Sequence, residues 1–317
     1  MVLFLREADV RQLLTMEEAL PVVEEVFRQQ GLGTAINRPR FRVRLPNGIL
    51  HVMPGGAPVF KSLGFKAYTT FLGGAKFLFF LYSSDTGELL AIMEANRLGQ
   101  MRTGAASGVA TKYMARSEAH TLGLFGAGWQ AQTQLMALCA VREIHTIKVY
   151  SRTPETRRTF SEEMSALLKV DVKPVDTPEE AVKGSDILVT ITTAREPVFK
   201  GEWLEPGMHL NVAGSNSAIK REVDERTVSR SDVIVIDSRE QGMIEAGDLI
   251  VPVEKGIIHW GQVRELGEVV AGYVPGRRTP EEITLFKSNG LAIEDIAVAA
   301  KVYELAKLKG AGVELPM

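Results

Sequence analysis

The stretch LGLFGAGWQAQTQL, residues 122–135, places a short apolar run directly before two closely spaced glycines and a helical pattern. Gly126, Gly128 and Ala131 have the G-x-G-x-x-A spacing that is typical of the first turn of a dinucleotide-binding fold. Such a match is weak by itself, because glycine is common and three positions constrain little. The surrounding sequence has to decide between a pyrophosphate-binding turn and a tight strand-to-helix turn without a ligand.

That surrounding sequence alternates short apolar runs with helical or loop segments. We expect strands at HTLGLF, TIKVY, VDVKPV, DILVTIT, HLNVAG and VIVIDS. This alternation predicts an α/β domain with a doubly wound parallel sheet of Rossmann type. Because the glycine motif follows the first strand and opens a helix, its amides are predicted to bind a dinucleotide pyrophosphate. The residues of this turn are Gly126, Ala127, Gly128, Trp129, Gln130 and Ala131.

The first hundred residues have a different pattern. The segment TMEEALPVVEEVFRQQGLG begins with a capping residue and early acids and has helical apolar spacing, which predicts a helix. RPRFRVRLPNGILHVMPGG alternates polar and apolar residues around a PNG turn, and strands are also expected at LGFKAYTTF, KFLFFLYSS and ELLAIME. We therefore expect a separate α+β domain with a mixed or antiparallel sheet and a helix packed on it.

The tip of the second predicted parallel strand, VYSRTPE, bears on the choice of cofactor. Enzymes that use NAD usually have an acid there that accepts from the ribose 2′-hydroxyl, whereas a 2′-phosphate needs a cation and hydroxyl donors. Here the residues are Ser151, Arg152 and Thr153, and arginine is well shaped for a phosphate. We predict that NADP(H) is preferred. NAD(H) is the alternative, because arginine can also stack on adenine without discriminating between them.

Composition and length exclude several classes of protein. A chain of 317 residues exceeds the usual size of one hydrophobic core, which favours two domains. The 37 basic and 39 acidic residues nearly balance, without a basic run suited to nucleic acid. No apolar run approaches the length of a membrane span, and the N-terminus lacks a secretory pattern, so we expect a cytoplasmic protein without a membrane partner. The five histidines have no metal-ligand spacing, so no metal site is predicted.

Five segments together resemble the ornithine cyclodeaminase/mu-crystallin family. They are FKAYTTF, ANRLGQMRTGAASGVATKYMA, GAGWQAQ, AGSNSAIKREVD and FKSNGLAIEDIAVAAKVYELA, and they occur in the family's order along nearly the whole chain. The resemblance implies a homodimer. It also implies a substrate-binding and dimerisation domain at residues 1–118 with 288–317, an NAD(P)-binding domain at 119–287, and an active site in the cleft between them.

The resemblance further implies which residues hold the substrate. Arg40, Lys66 and Arg102 match the family's carboxylate-binding and catalytic positions. Two guanidinium groups can hold a carboxylate with bidentate geometry and fix the adjacent carbon for hydride transfer. Positive neighbours and partial burial should lower the pKa of Lys66, which would suit proton exchange with a substrate nitrogen. Arg42 and Arg44 have the same strand parity as Arg40, so the alignment can shift by two residues.

One departure from the family concerns the segment AGSNSAIKREVD. Cyclodeaminase members have an Asp in a G-A-D-x-P-G-K-x-E-L motif, and Gly214, Lys220 and Glu222 match that motif while Asn216 replaces the acid. Asn can hydrogen-bond an imine but cannot act as a general base, so Asn216 counts as a catalytic-site residue that favours reduction over cyclodeamination. Asn216 is expected beside the nicotinamide together with Thr103, Ser288 and Gly290, and Gly214 is also expected to bind the cofactor.

We therefore predict an NAD(P)H-dependent reductase of a small imino acid, such as a cyclic imine carboxylate, or equivalently an amino acid dehydrogenase. One alternative is ornithine cyclodeaminase, a lyase that converts ornithine to proline and ammonia with NAD as a catalytic cofactor. Another is a non-enzymatic, NADPH-loaded binding protein of mu-crystallin type. Met53, Tyr68 and Phe71 are candidates for shaping the substrate pocket, but they do not identify the substrate.

Overall fold

The computed structural model describes residues 1–316. The chain divides into two compact units, one formed by Met1–Ala105 with the residues from Gly290 onward, the other by Ala106–Asn289. The boundaries expected from the sequence were 118/119 and 287/288. The first boundary in the structure falls inside one continuous helix, which no local pattern marked. That the first unit binds substrate and dimerises stays a prediction.

Within residues 1–316 the chain forms sixteen strands and eleven α-helices. The strands are β1 (Val2–Leu5), β2 (Ile36–Asn37), β3 (Phe41–Leu45), β4 (Gly48–Ala57), β5 (Ser62–Phe71), β6 (Gly74–Ser83), β7 (Leu89–Glu94), β8 (Thr121–Phe125), β9 (Thr146–Tyr150), β10 (Asp171–Pro174), β11 (Ile187–Thr190), β12 (His209–Val212), β13 (Val233–Ile236), β14 (Arg264–Glu265), β15 (Thr284–Lys287) and β16 (Val313–Leu315). The helices are α1 (Glu7–Leu13), α2 (Met16–Gly31), α3 (Asn96–Met114), α4 (Trp129–Val141), α5 (Pro154–Leu168), α6 (Pro178–Val182), α7 (Glu225–Arg230), α8 (Arg239–Glu245), α9 (Gly247–Glu254), α10 (Leu266–Val270) and α11 (Ala292–Lys309).

The first unit contains a mixed sheet with the strand order β16-β1-β7-β6-β5-β4-β2, and β3 pairs with β4. Only the β1–β7 pair is parallel among the strand pairs of the described residues in this sheet. The expected mixed sheet is therefore confirmed, although β1, β2 and β16 were not predicted.

Helices cover one face of this sheet. The predicted helix from Thr15 is α2, and the Thr15 hydroxyl caps it by accepting from the amide of Glu18 at 3.3 Å. Helix α11 packs against α2, β4 and β5. Because successive strand residues face opposite sides, Met53 and Lys66 lie on the covered face of β4 and β5 and are buried.

The second unit contains a parallel sheet with the order β10-β9-β8-β11-β12-β15-β13-β14. Its first five strands have the doubly wound arrangement, with the change of direction between β8 and β11. All six predicted strands are present as β8 to β13. Strands β14 and β15 were not predicted, and β15 lies between β12 and β13.

Candidate active site

The glycine motif joins β8 to α4 through a turn that requires glycine at one position. Gly126 has φ +108°, and a Cβ there would lie 2.5 Å from the carbonyl oxygen of Ile191. Gly128 is the N-cap of α4, and a Cβ on it would meet no heavy atom within 4 Å. The turn therefore requires glycine at position 126, whereas the absence of a side chain at Gly128 leaves the N-terminus of α4 accessible to an anion.

A cavity of about 860 Å³ lies at this turn, inside the second unit. The C-terminal ends of β8, β9 and β11 form its walls together with Gly126, Ala127 and Gly128. This position is the switch point of the doubly wound sheet, where such folds bind nucleotides. Trp129 is 43 % exposed at the start of α4, whereas Ala131 is fully buried. The side chain of Ala131 therefore packs in the interior, while its amide donates to the carbonyl of Gly128 at 3.0 Å.

Ser151, Arg152 and Thr153 all line the same cavity. The loop that carries them is anchored by buried Arg157, which donates to the carbonyl of Ser151 at 3.0 Å and pairs with Asp176. A second arginine, Arg195, lines the cavity from the loop after β11. Arg195 was not predicted from the sequence, although it follows a predicted strand whose C-terminal end was expected at the same edge of the sheet.

A buried cluster of opposite charges occurs in the first unit. The Lys66 ammonium lies 2.6 Å from Oδ2 of Asp295, and Arg102 Nε donates to Oδ1 of the same carboxylate at 3.1 Å. Arg102 Nη1 also donates to Glu294 at 3.0 Å. Asp295 and Glu294 are fully buried at the start of α11. Asp295 therefore brings Lys66 and Arg102 together, and Glu294 holds Arg102 alone; neither acid was predicted from the sequence.

The pKa values of the two cations move in opposite directions. Burial lowers the pKa of Lys66 to about 7; the charge of Arg102 adds to this effect and Asp295 opposes it. Burial also acts to lower the pKa of Arg102, but the charges of Asp295 and Glu294 outweigh it and raise that pKa above its ordinary value. The expected lowering at Lys66 is confirmed, and its burial is complete rather than partial.

Arg40 is the buried one of the three alternating arginines Arg40, Arg42 and Arg44. It is 6 % exposed, donates through Nη2 to the carbonyl of Gly290 at 3.3 Å, and its guanidinium carbon lies 6.0 Å from the ring centroid of Tyr68. Arg42 is half-buried and Arg44 is exposed. Burial therefore distinguishes Arg40 from the other two arginines, and that Arg40 binds the substrate carboxylate stays a prediction.

Gly290 serves this cluster through its backbone. It has φ +80°, and a Cβ there would lie 2.2 Å from Arg102 Nη1. Gly290 is thus required by the close approach of Arg102. Thr103 Oγ1 donates to the carbonyl of Gly99 within α3 at 2.7 Å, and Ser288 is buried with its amide donating to Val212. That Gly290, Thr103 and Ser288 contact a cofactor stays a prediction.

The loop after β12 carries the remaining predicted residues. A Cβ on Gly214 would lie 2.3 Å from Glu222 Oε1 and 2.4 Å from the amide of Thr192, so packing requires glycine there. Asn216 is exposed on the same loop. Of the candidate pocket residues, Met53 and Tyr68 are buried together with Ala292. Phe71 is 45 % exposed, and because it is five residues after Lys66 on β5 its side chain faces the other side of the sheet, so that suggestion was wrong.

Comparison with known proteins identifies the family. The sequence model of the ornithine cyclodeaminase/mu-crystallin family matches residues 2–310. This chain belongs to that family. Alanine dehydrogenase of Archaeoglobus fulgidus is 37 % identical to this family member over 318 residues, which cover 98 % of this chain and 97 % of that protein.

Two solved structures are similar over the whole chain. The Δ1-pyrroline-2-carboxylate reductase of Thermococcus litoralis, in complex with NADH and L-proline, has a TM-score of 0.95 and 40 % identity and covers 99 % of this chain and 100 % of that one. An archaeal alanine dehydrogenase dimer with bound NAD has a TM-score of 0.94 and 36 % identity and covers 100 % of this chain and 99 % of that one.

Among residues 1–316, no group of three or more His, Cys, Asp or Glu side chains is arranged to hold a metal ion. Within the same residues, no helix has the length and apolar character needed to cross a bilayer.

Proposed function

We propose that this chain is an NAD(P)H-dependent reductase of a small imino acid that also oxidises the corresponding amino acid. The observation that carries the proposal is the buried cluster of Lys66 and Arg102 with Asp295. In this cluster an amine with a pKa of about 7 lies beside a guanidinium that is able to bind a carboxylate. The relatives support it, since one is an alanine dehydrogenase and another was solved with NADH and L-proline. Alanine and proline share an α-carboxylate beside a nitrogen-bearing carbon.

The second unit supplies the nucleotide-binding residues in this proposal. The open N-terminus of α4 and the amides after Gly126 would hold the pyrophosphate, because a helix N-terminus presents unpaired donors and a positive dipole end. The cavity of about 860 Å³ beside this turn can accept the adenosine portion. When bound, the reduced nicotinamide supplies a hydride to the imine carbon.

The first unit supplies the groups for the substrate carboxylate. The guanidinium of Arg102 is held in place by Asp295 and Glu294, and that of Arg40 is held by the Gly290 carbonyl and the face of Tyr68. Both cations are buried, so their attraction for a carboxylate is less screened than at a surface. Their fixed positions would orient the α-carbon without reorganisation during the reaction.

Lys66 would exchange the proton. With its pKa near 7, the protonated amine can donate to the substrate nitrogen during reduction, and the neutral amine can accept from an amino group during oxidation. Asp295 fixes the ammonium at 2.6 Å and stabilises its charged form. The simple reduction needs no further general base, which agrees with Asn216 in place of an acid.

We also propose that NADP(H) is preferred and that NAD(H) is accepted. Arg152 and Arg195 line one cavity together with the hydroxyl groups of Ser151 and Thr153. Two cations and two hydroxyls suit a 2′-phosphate. The solved relatives contain NADH or NAD, so the preference rests on these residues of this chain.

We further propose that the chain forms a homodimer through the outer face of the first unit's sheet. Phe41, Val43, Leu45, Leu50 and Leu63 are each at least 40 % exposed. The strand register places all five on the same side of β3, β4 and β5, away from α11. An exposed apolar patch of this kind is typical of a protein interface, and an archaeal relative is a dimer.

The direct test measures the loss of nicotinamide absorbance after imino acids are added to the protein with NADPH and, in a second series, with NADH. The panel contains Δ1-pyrroline-2-carboxylate, Δ1-piperideine-2-carboxylate, and pyruvate with ammonia, and the Lys66→Met variant is the control. Absorbance loss with the unmodified protein and none with the variant is the expected result. A flat trace with proline formed from ornithine would instead identify a cyclodeaminase. Retained nucleotide without any turnover would identify a binding protein.

A further inference from the structure

Glu222 is a fully buried carboxylate that accepts four hydrogen bonds. Oε1 accepts from the amide and the hydroxyl of Thr192, both at 2.7 Å. Oε2 accepts from the amide of Gly214 at 2.7 Å and from the hydroxyl of Thr190 at 2.9 Å. The two oxygens of one side chain are thus bonded to two different segments of the backbone.

Those segments are loops at the C-terminal ends of neighbouring strands. Thr192 belongs to the loop after β11 and lines the cavity assigned above to the adenosine portion. Gly214 belongs to the loop after β12, which carries Asn216 on the predicted nicotinamide side. A Cβ on Gly214 would overlap both Glu222 and Thr192, so the three residues are packed without free space.

The backbone of Glu222 is fixed as firmly as its side chain. Its amide donates to Oδ1 of buried Asp248 at 2.6 Å. The other oxygen of Asp248 lies 3.0 Å from the ammonium of buried Lys287, which donates to the carbonyl of Ser215 at 2.7 Å. A closed set of buried interactions therefore holds the loop after β12 at its beginning and at its end.

We propose that Glu222 is a positioning residue that couples the loop after β11 to the loop after β12, so that the two halves of the dinucleotide are bound cooperatively. Glu222 acts through Thr192 and Gly214 and does not contact the nucleotide itself. The inference rests on the nucleotide-dependence in the proposed function but not on the identity of the substrate.

The decisive variant is Glu222→Gln. The amide retains one oxygen that accepts from Thr192, but its NH2 group faces the Gly214 amide, where two donors oppose each other. Coupling predicts that the Kd for NADPH and NADH rises about tenfold, whereas the Kd for ADP-ribose, which lacks the nicotinamide, changes less than about threefold. Energy transfer from tryptophan to the reduced nicotinamide, with Trp129 at the nucleotide turn, measures the Kd for NADPH and NADH. Calorimetry measures the Kd for ADP-ribose.

Glu282→Gln is the matched control. Glu282 is a buried carboxylate just before β15, at the other end of the same sheet, and accepts from the amide and guanidinium of Arg278. This variant should lower the melting temperature without changing the ratio of the two dissociation constants. If Glu222→Gln also changes only the melting temperature, or weakens both ligands by the same factor, Glu222 has a structural role and the inference is overturned.

Thr190→Val decides the case if Glu222→Gln fails to fold. Thr190 is buried and is not part of the cavity wall, and valine keeps its shape while removing one donor to Oε2. The Kd for NADPH should rise about three- to fivefold with little change for ADP-ribose, and an unchanged ratio overturns the inference. If the unmodified protein binds no nicotinamide nucleotide, both proposals fail. If it binds one but reduces no imine, the proposed function fails alone and the binding ratio still decides the role of Glu222.

Discussion

The ammonium of Lys66 lies 2.6 Å from Oδ2 of Asp295, although 229 residues separate them in the chain. Oδ1 of Asp295 accepts from Arg102, so one carboxylate joins the amine that we propose exchanges the proton to a cation that we propose binds the substrate. Burial disfavours the charged form of Lys66, and Asp295 restores part of the loss. This balance places the pKa of Lys66 near neutrality, which has a direct consequence for the pH dependence of the reaction.

Reduction of the imine should become slower as the pH rises through about 7, because protonated Lys66 is needed to donate to the substrate nitrogen. Well above this pKa, kcat/KM for reduction should fall about tenfold per pH unit, and kcat/KM for oxidation should level off at its highest value. Steady-state rates in both directions between pH 5 and pH 10, at saturating cofactor, measure the two profiles.

The Lys66→Arg variant separates this effect from titration of the substrate. Arginine stays protonated throughout this range, so the fall in reduction near pH 7 should disappear, together with most of the rate. A fall that persists unchanged in the variant belongs to the imine itself, and Lys66 would then have no role in proton exchange.

Much of the second unit could be predicted from the sequence, because its strands are short β-branched runs separated by helical patterns. Strand β15 was missed for a physical reason. Its four residues, TLFK, end in a lysine, a residue type that is rarely fully buried unless it is paired, and no local pattern in the sequence identifies the partner. In the structure Lys287 is fully buried, because Asp248 neutralises it at 3.0 Å.

The candidate site could be predicted where it depends on local spacing, as in the glycine turn. The partners of the cations could not, because Glu294 and Asp295 lie 192 and 193 residues from Arg102. Two adjacent acids in the otherwise apolar start of α11 were the available signal. The alternation of residues along the strand likewise does not distinguish Arg40 from Arg44. The two differ in the structure because Arg40 packs against Gly290 and Tyr68.

The two arginines provide a matched pair for testing carboxylate binding. Arg40→Met should raise KM for the imino acid about 10- to 100-fold, since it removes a charged hydrogen-bond donor from a buried site. Arg44→Met, on the same strand face but exposed, should change KM less than about twofold. Steady-state kinetics with saturating NADPH measures both, and equal effects of the two substitutions would contradict the assignment of Arg40.

Cofactor preference is tested by removing the arginines of the nucleotide cavity one at a time. Arg152→Gln and Arg195→Gln should each raise KM for NADPH about tenfold and leave KM for NADH nearly unchanged, because only NADPH has the 2′-phosphate. Arg158→Gln, on the exposed surface of α5, is the control and should alter neither constant. Equal losses with both cofactors would mean that Arg152 stacks on adenine instead of binding a phosphate.

The oligomeric state tests the outer face of the first sheet. Val43 is 57 % exposed at the centre of the apolar patch on β3, and a charge there would have to be buried on dimerisation. Val43→Asp should therefore weaken the dimer by several kcal/mol and give a monomer in light scattering at micromolar concentration.

Leu308→Asp is the control, because Leu308 is 80 % exposed at the end of α11 and lies outside the patch. A dimer that survives Val43→Asp but not Leu308→Asp would move the interface from the sheet to α11. A monomeric unmodified protein would refute the dimer itself, and the exposed patch would then need another partner.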